Sequence, residues 1–553
     1  MINKLKKYLI VVTIAIGSLL SLGFSENFFE ISKNLDIFST LFKELNILYV
    51  DEIDSGELMN TAIDAMLESL DPYTTFIPES EQEDFEFMTT GEYGGIGAII
   101  MSRDEYVHIR EPYFGFPADK AGLKAGDKIL EIEGNSAKGK STEDVSKILK
   151  GQANTDVKVL IERKGVDKPF EVTITREEIK VSSIPYSALV DDGIAYIRMR
   201  SFTRNVSKEV IQAYNELSRE QELKGLILDL RGNPGGLLNE AINTANIFVD
   251  KGEVIVETQG KIEDWDKTYK SRYEPVDTEI PLIVLINRRS ASASEIVSGV
   301  IQDFDRGLVM GQRSFGKGLV QQTRKLSYNT QLKVTTAKYY IPSGRCIQAL
   351  DYSNRNDDGS VGRTPDSLRT AFKTRNGRVV YDGGGVTPDV SVEVNPFSNI
   401  LRSLVSKNLI FDYSTQFYRQ NDTISSPQEF SVDSILYNDF VQYLNDKEYE
   451  YETKTELAIK DLFETAEDEE YIQDLEKQLE AIELKMTSSK NNDLMRFKDE
   501  ISQVLESEIV TRYFYQEGSL ASAIKYDDEV LQAIDLLNNP LEFEAILKGD
   551  TIK

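Results

Sequence analysis

Two mainly apolar runs without polar alternation, each followed by a helical pattern, most constrain the fold of this chain. The runs are "LKGLILDL", ending at Leu230, and "LIVLIN", ending at Asn287. The helical patterns "GLLNEAINTANIFV" and "SASEIVSGVIQDF" follow them, and the pair "GIAYIRM" and "SKEVIQAYNELSRE" precedes them. Apolar runs without polar alternation are typical of parallel strands that are covered on both faces. The pattern therefore predicts an α/β core, which we place at residues 179–398.

The chain of 553 residues is long enough for three or four domains. Residues 26–84 carry apolar positions at helical spacing, so we expect a helical N-terminal region whose stripe packs in a core, with a partner-helix face as the alternative. Residues 85–178 are a compact β-rich module of short strands. Residues 399–553 are rich in Glu, Asp, Lys and Leu and predict a helical, acidic C-terminal extension. The fold class is thus multidomain α/β.

The first 25 residues have the pattern of an export segment. The basic stretch "MINKLKK" precedes the apolar run Tyr8–Phe24, and small residues follow at the spacing of a cleavage site. We expect an exported, periplasmic protein. Cleavage as a signal peptide and retention as an anchor in the inner membrane are both left open by the sequence.

The charge and the residue counts exclude several functions. The chain has 63 Lys+Arg against 92 Asp+Glu, a net charge of −29, which argues against nucleic acid as a partner. It has one histidine, His108, and one cysteine, Cys346. Neither a metal site nor a cofactor is expected from this composition, since no ligand cluster at metal-binding spacing is present.

A serine at a strand-to-helix junction is the strongest sign of chemistry. Ser292, in "SASASE", follows a buried strand and opens a helix, a position that exposes a side chain and points helical N–H groups at a ligand. Serine is also an ordinary helix N-cap, so this stretch alone does not establish a nucleophile. Because His108 lies in the β-rich module, the base must be another residue.

Lys317 is the candidate base, between two glycines in "SFGKGLVQQ". A lysine must be neutral to accept a proton, although its free pKa is about 10.4, and burial without a carboxylate partner lowers that value. No Asp or Glu lies between Asp305 and Lys317 in the sequence. Gln321 could hold the amine without adding a charge.

Several longer motifs make the chain resemble the C-terminal processing peptidases, also called tail-specific proteases. The motifs occur in the family's order over residues 26–395 and are "SLDPYTTFI", "GEYGGIGA", "FPADKAGLKAGDKILEIEG", "LILDLRGNPGGLL", "SASASE", "SFGKGLVQ", "TTAKYYIPSGR" and "GGVTPDV". The resemblance implies a crotonase-like α/β peptidase core with a serine–lysine dyad. It implies Ser292 as nucleophile, Lys317 as general base and Gln321 as the residue that orients the lysine.

The same resemblance assigns the oxyanion hole and the β-rich module. A glycine N–H of the "GNPGG" turn, from Gly235 or Gly236, would join the N–H of Ala293. The module resembles a PDZ domain, with Tyr93, Gly94, Gly95, Ile96 and Gly97 as the loop that binds a C-terminal carboxylate. The strand "AIIM" that follows would pair with the bound peptide.

These expectations define one function and two rivals. We expect a serine endopeptidase that cleaves exported proteins near or from their C-termini after the PDZ domain captures the tail. Its partners would be proteins and peptides with free C-termini, and the helical regions are candidates for contacts with an adaptor or a second copy. The rivals are a PDZ adaptor with an inactive peptidase fold and a crotonase-type acyl-CoA enzyme.

Overall fold

The structure is a computed structural model that describes residues 28–356, 359–393, 396–490 and 492–550. The expected signal or anchor segment, residues 1–25, lies outside the described residues. Contacts divide the chain into two compact units. In the described part, residues 28–76 and 323–334 form one unit, and residues 77–322 and 335–550 form the other.

The smaller unit is mainly helical, with α1 (28–48), α2 (Ser55–Glu68) and the start of β1 (Thr75–Ile77). Asp54 caps α2 by accepting hydrogen bonds from the N–H groups of Gly56 and Glu57. The apolar stripe of α1 is exposed, with Phe28 at 71% and Leu35 at 63%. The expectation that this stripe packs in a core is therefore wrong for the single chain.

Residues 79–180 form a β-rich module around one apolar core. A six-stranded antiparallel sheet has the order β3-β4-β5-β7-β8, with β6 added to β5, and a separate ladder pairs β2 with β9. The strand β3 therefore lies at the edge of the sheet, and α5 lies beside it. The elements are α3 (Gln82–Thr90), β2 (Glu92–Gly95), β3 (Ala98–Arg103), β4 (Tyr106–Pro112), α4 (Pro117–Lys120), β5 (Lys128–Ile132), β6 (Asn135–Ser136), α5 (Thr142–Leu149), β7 (Asp156–Glu162), β8 (Phe170–Thr175) and β9 (Glu177–Lys180).

The central sheet has the strand order β10-β11-β12-β15-β16-β23. The strands from β11 onward are parallel to one another, and β10 runs antiparallel at one edge. Its strands are β10 (Tyr186–Asp191), β11 (Ile194–Arg198), β12 (Gly225–Asp229), β15 (Leu282–Ile286), β16 (Leu308–Gly311) and β23 (Val390–Ser391). The helices that connect them are α6 (Val206–Glu220), α7 (Leu238–Ala245) and α8 (Ala293–Asp303). The predicted parallel α/β core is confirmed.

A second sheet flanks the central one and includes the strand that follows Lys317. In it β13 pairs with β14 and β18, and β17 pairs with β18. These strands are β13 (Val254–Gly260), β14 (Lys267–Lys270), β17 (Leu319–Lys325) and β18 (Gln331–Tyr340). Shorter strands follow as two hairpins, formed by β19 (Leu350–Arg355), β20 (Val361–Arg363), β21 (Ala371–Lys373) and β22 (Val379–Tyr381).

The rest of the described chain is helical, as expected. Its helices are α9 (Asn399–Ser406), α10 (Leu409–Gln420), α11 (Ser434–Tyr443), α12 (Lys454–Asp468), α13 (Ile472–Lys490), α14 (Asp493–Arg496), α15 (Lys498–Ile524), α16 (Asp528–Leu537) and α17 (Pro540–Lys548). Within the described ranges, no helix is both long and apolar enough to cross a membrane.

Different parts of the chain cover the two faces of the central sheet. Helices α6, α7 and α8 pack on one face, where α8 is buried along its whole length. The other face is covered by the C-terminal helices, since Val530 and Leu536 of α16 and Phe543 of α17 join the same apolar cluster as Ile227 and Leu285. The predicted boundary at residue 398 thus crosses one continuous core. The last helices of the chain help to bury the sheet that carries Ser292.

Candidate active site

Ser292 lies where strand β15 leads into helix α8. Its backbone has φ 54° and ψ −111°, a conformation that non-glycine residues adopt rarely and at a cost. Ser292 is half-buried, while Ala291 and Ala293 on either side are buried. The turn therefore holds one strained serine at the accessible end of a buried helix.

The two neighbouring serines attach this turn to the glycine turn after β12. Ser290 Oγ donates to the carbonyl oxygen of Leu230 at 2.8 Å, and Ser294 Oγ donates to that of Asn233 at 2.9 Å. The Ala291 N–H donates to the same Asn233 carbonyl at 3.0 Å. Because Ser290 and Ser294 are fully buried, they hold the position of the turn and leave Ser292 as the accessible serine of the run.

Glu295, one turn into α8, connects the serine turn to the lysine segment. Its Oε2 accepts hydrogen bonds from the N–H groups of Ser292, at 2.8 Å, and Lys317, at 2.9 Å. Its Oε1 accepts from the Gly316 N–H at 2.7 Å and from the Ser314 hydroxyl. Glu295 is fully buried. One carboxylate thus fixes the distance between the backbones of the two expected dyad residues.

Burial raises the pKa of the Glu295 carboxyl, while the hydrogen bonds from Ser314, Lys317 and Gly316 oppose that shift. No role was predicted for Glu295, although it ends the "SASASE" stretch. A carboxylate in the first turn of a helix that follows a buried strand was the available signal. No acid lies between Asp305 and Lys317 in the sequence, and the carboxylate that binds the Lys317 backbone N–H comes from another element, helix α8.

Tyr339, on β18, makes a second connection between the same two segments. Its single O–H donates to the Lys317 carbonyl oxygen at 2.7 Å, and the Ser292 carbonyl oxygen, 3.1 Å from the same hydroxyl, is a second acceptor that shares this hydrogen. The side chain is 1% exposed, and burial raises the pKa of the phenol well above its ordinary value. The phenol therefore stays protonated and able to donate. Tyr339 was also missed, although it lies within the motif "TTAKYYIPSGR".

The expected oxyanion donors lie against the serine turn. Ala293 is the first residue of α8, so its N–H has no acceptor within the helix. Gly235 is so close that a Cβ there would lie 2.9 Å from Ser292 Cβ and 3.0 Å from Ala293 N. The Gly235 N–H is already committed to Asn233 Oδ1, at 2.9 Å. The Gly235 N–H is thus hydrogen-bonded within its own turn.

Gln321 lies on β17, four residues beyond Lys317, and its Nε2 donates to Thr335 Oγ1 at 3.1 Å. This bond fixes the orientation of the amide against β18. His108 lies on β4 of the β-rich module, paired with Met101 and Lys128, so it belongs to a sheet other than the one that carries Ser292.

The expected carboxylate-binding loop is divided between a strand and a turn. Tyr93, Gly94 and Gly95 lie in β2 and pair with β9, whereas Ile96 and Gly97 form the connection to β3. The carbonyl oxygens of Ile96 and Gly97 accept hydrogen bonds from Ala118 and Tyr113. These bonds fix the connection at the end of the exposed edge strand β3.

Comparison with protein-family models identifies three regions. Residues 193–353 match peptidase family S41, residues 108–163 match the PDZ domain, and residues 400–537 match the C-terminal helical domain of a probable PDZ-protease. The matches follow the order of the core, the β-rich module and the helical extension described above.

Curated relatives are similar over the same part of the chain. A carboxy-terminal-processing protease of Bartonella bacilliformis is 38% identical over 321 residues, which cover 58% of this chain and 73% of the relative. The chain belongs to peptidase family S41. A probable CtpA-like serine protease of Staphylococcus aureus is 35% identical over 316 residues, which cover 57% of this chain and 62% of that relative. Among solved structures, the photosystem II D1 C-terminal processing protease is 28% identical, with a TM-score of 0.33 over 64% of this chain and 92% of that one.

Membership of family S41 makes the chain a serine-type peptidase of the carboxy-terminal-processing kind, with a PDZ domain. The expected family and enzyme class are confirmed. The rival interpretations, an inactive PDZ adaptor and an acyl-CoA enzyme, are not favoured.

Proposed function

We propose that this S41 peptidase cleaves peptide bonds with Ser292 as the nucleophile and Lys317 as the general base. The observation that supports this most strongly is the double connection between the two segments. The Glu295 carboxylate accepts from both N–H groups, and the one hydrogen of the Tyr339 hydroxyl is shared between both carbonyl oxygens. These contacts hold the backbones of the serine and the lysine in place, which lowers the entropy that their side chains lose when they meet for proton transfer.

In the proposed reaction, the neutral amine of Lys317 takes the proton of Ser292 Oγ as that oxygen attacks the scissile carbonyl carbon. The carbonyl π electrons move to oxygen, and the resulting oxyanion accepts hydrogen bonds from the N–H groups of Ala293 and Gly236. Lys317 then returns the proton to the leaving amine as the C–N bond breaks. Water, deprotonated by the same lysine, attacks the acyl-enzyme and releases the new C-terminal carboxylate together with Ser292.

Gln321 is proposed to orient the lysine during these steps. Its Nε2 is bound to Thr335, so its amide oxygen is the atom that would accept a hydrogen bond from the amine. An amide oxygen positions the amine without adding the negative charge that would keep it protonated.

The PDZ domain is proposed to bind substrate tails. The edge strand β3 can pair with an extended peptide, and α5 contacts this strand. Ala98 and Ile100 of β3 and Ile148 of α5 are partly buried against the core of the module. The turn at Ile96 and Gly97 would receive the C-terminal carboxylate on its N–H groups. The substrates would then be proteins with free, unstructured C-termini.

Export is proposed from the basic and apolar pattern of residues 1–25. The natural location would be the periplasm, with the segment either cleaved or retained as an inner-membrane anchor. The exposed apolar stripe of α1 supports contacts with an adaptor or a second copy. The domain boundaries proposed from the sequence are 26–84, 85–178, 179–398 and 399–553.

Three variants test the dyad on an unstructured peptide with a free C-terminus. Ser292→Ala and Lys317→Ala should each abolish cleavage, and the double variant should lose no more than either single one, because the two side chains act as a unit. Ser298→Ala, in the next turn of α8, is the matched control, since its hydroxyl bonds only within the helix. Cleavage at the wild-type rate by Ser292→Ala would refute the assignment.

A further inference from the structure

Arg231 stands at the start of the glycine turn and is held from the side of the central sheet by Asp229. The Asp229 carboxylate accepts from the Arg231 backbone N–H at 2.8 Å and from its Nη2 at 2.7 Å. Arg198 and the Tyr196 hydroxyl donate to the same carboxylate. Burial would raise the pKa of Asp229, but the two arginines outweigh it and hold that pKa below its ordinary value. Asp229 therefore carries a charge in the sheet at the base of the turn.

The other side of the Arg231 guanidinium is held by the C-terminal helical region. Asp527 accepts from Nη1 at 2.9 Å and from Nη2 at 2.8 Å, and Glu529 accepts from Nη1 at 2.6 Å. Both carboxylates come from the beginning of α16, where Asp527 is also the helix N-cap. The Arg231 side chain is only 8% exposed, and that of Glu529 only 9%. Two domains thus share one buried guanidinium.

These ion pairs are not needed merely to attach α16 to the sheet. Val530, Ala533 and Leu536 of the same helix already pack into the apolar cluster on that face. Moving charges out of water is unfavourable, and apolar residues at the same places would attach a helix equally well. Two buried carboxylates and a third that is partly buried surround one arginine, which points to a requirement for a defined arginine position.

The position of Arg231 bears directly on the serine turn. The neighbouring carbonyl oxygen of Leu230 accepts the Ser290 hydroxyl. Two residues beyond Arg231, the Asn233 carbonyl accepts from Ala291 and Ser294, and the Asn233 side chain accepts from the Gly235 N–H. A shift of the turn at Arg231 would therefore move the glycine N–H groups relative to Ser292.

We propose that Asp527 and Glu529 are positioning residues of the peptidase, which act through Arg231 to hold the glycine turn against the Ser292 turn. The C-terminal helical region then completes the active site, although neither carboxylate touches the substrate. This inference rests on the proposed roles of Ser292 and the glycine turn. Displacement of a catalytic group by about 1 Å can lower a rate about 100-fold, so small movements of this turn are sufficient.

The test uses the full chain with Asp527→Asn and Glu529→Gln, separately and combined. Asparagine is as good an N-cap as aspartate, and glutamine keeps the shape of glutamate, so both substitutions remove charge with little change in packing. Asp528→Asn is the matched control. Asp528 is exposed, and its substitution removes the same charge from the same end of the helix. Cleavage of an unstructured peptide gives kcat and KM, and circular dichroism gives the thermal midpoint.

The combined variant should lose about 10- to 100-fold in kcat while its KM changes by less than about twofold, since the oxyanion donors act in the transition state. Asp528→Asn should match the wild type. An unchanged kcat in the folded combined variant, or a change confined to KM, would overturn the inference. If the combined variant does not fold, the kcat of Asp527→Asn alone is the test. A wild-type kcat in that variant would also overturn the inference.

Ser292→Ala is assayed in parallel to separate this inference from the proposed function. Cleavage by Ser292→Ala would refute the proposed role of Ser292 and with it the proposed function. An inactive Ser292→Ala beside a fully active combined variant would leave the dyad intact and reject only the role of the two C-terminal carboxylates.

Discussion

Replacement of Glu295 should disrupt the site more than any other substitution outside the dyad. Glu295→Ala removes an acceptor from three backbone N–H groups, those of Ser292, Gly316 and Lys317. Removing the acceptor of a buried N–H costs about 1–3 kcal/mol, so removing it from all three costs at least about 3 kcal/mol. If this cost adds in full to the activation free energy of cleavage, kcat should fall at least about 100-fold.

Glu295→Gln should be milder for a specific reason. The amide oxygen can keep the place of Oε2 and accept from Ser292 and Lys317, while the amide NH₂ takes the place of Oε1. The Ser314 hydroxyl can rotate to accept from that NH₂, so the Gly316 N–H is the backbone group that loses its acceptor. One orphaned N–H at about 1–3 kcal/mol predicts a loss of roughly tenfold in kcat.

The assay is steady-state cleavage of an unstructured peptide by both variants, with Ser298→Ala as the control from the same helix. Thermal unfolding of each protein shows whether the fold survives. The expected order of kcat is wild type and Ser298→Ala, then Glu295→Gln, then Glu295→Ala. A folded Glu295→Ala protein with wild-type kcat would show that the carboxylate is not what holds the two segments in register.

Three further predictions concern the same site and its pH dependence. Gly235→Ala should lower kcat by about 100-fold, because φ is +102° there and the new Cβ would lie 2.9 Å from Ser292 Cβ; a variant that retains more than half of the wild-type kcat would contradict this contact. Amidation of a substrate's C-terminus should weaken its binding to the PDZ domain, since one charged acceptor is lost, and equal affinities for the free and amidated tails in a titration would refute tail recognition. The raised pKa of Glu295 means that the folded state holds its proton to a higher pH than the unfolded chain, where the carboxyl titrates near about 4.3. The stability of the wild type relative to Glu295→Gln should therefore be greatest below that pH and fall as pH rises through the folded-state pKa, and a difference in thermal midpoint that grows with pH would contradict the direction of the shift.

The parallel core could be predicted because its sequence signals are local. The strands β12 and β15 are fully buried apolar runs, and each is followed by a helix at regular apolar spacing. The position of Ser292 followed from the same pattern, since the end of a buried strand is where a side chain becomes accessible. Each of these signals lies within about ten residues of sequence.

The features that were missed depend on tertiary contacts. Glu295 and Tyr339 act by joining segments that lie apart in the sequence, and a carboxylate in a helix or a tyrosine in a strand carries no local sign of such a partner. The exposure of the α1 stripe could not be predicted either, because apolar periodicity shows that a face is apolar but not that this chain covers it.

The contribution of α16 to the central sheet was hidden for a similar reason. Its apolar spacing predicts a buried helix face, and only the fold shows that this face covers strands more than 200 residues earlier in the chain. The acidic residues at its start look like ordinary helix-capping groups in the sequence. Their ion pairs with Arg231 are visible only in the folded structure, and these contacts are the basis of the positioning role proposed above.

The most direct test of the account is the pH dependence of cleavage by the wild type and by Lys317→Arg, between about pH 6 and about pH 10. If Lys317 is the base, the wild-type rate should rise with pH as the amine loses its proton, and Lys317→Arg should be inactive throughout because a guanidinium keeps its proton in this range. The arginine variant should retain the wild-type fold by circular dichroism. A wild-type rate controlled by a group near about pH 6.5, or an active arginine variant, would contradict the claim that Lys317 activates Ser292.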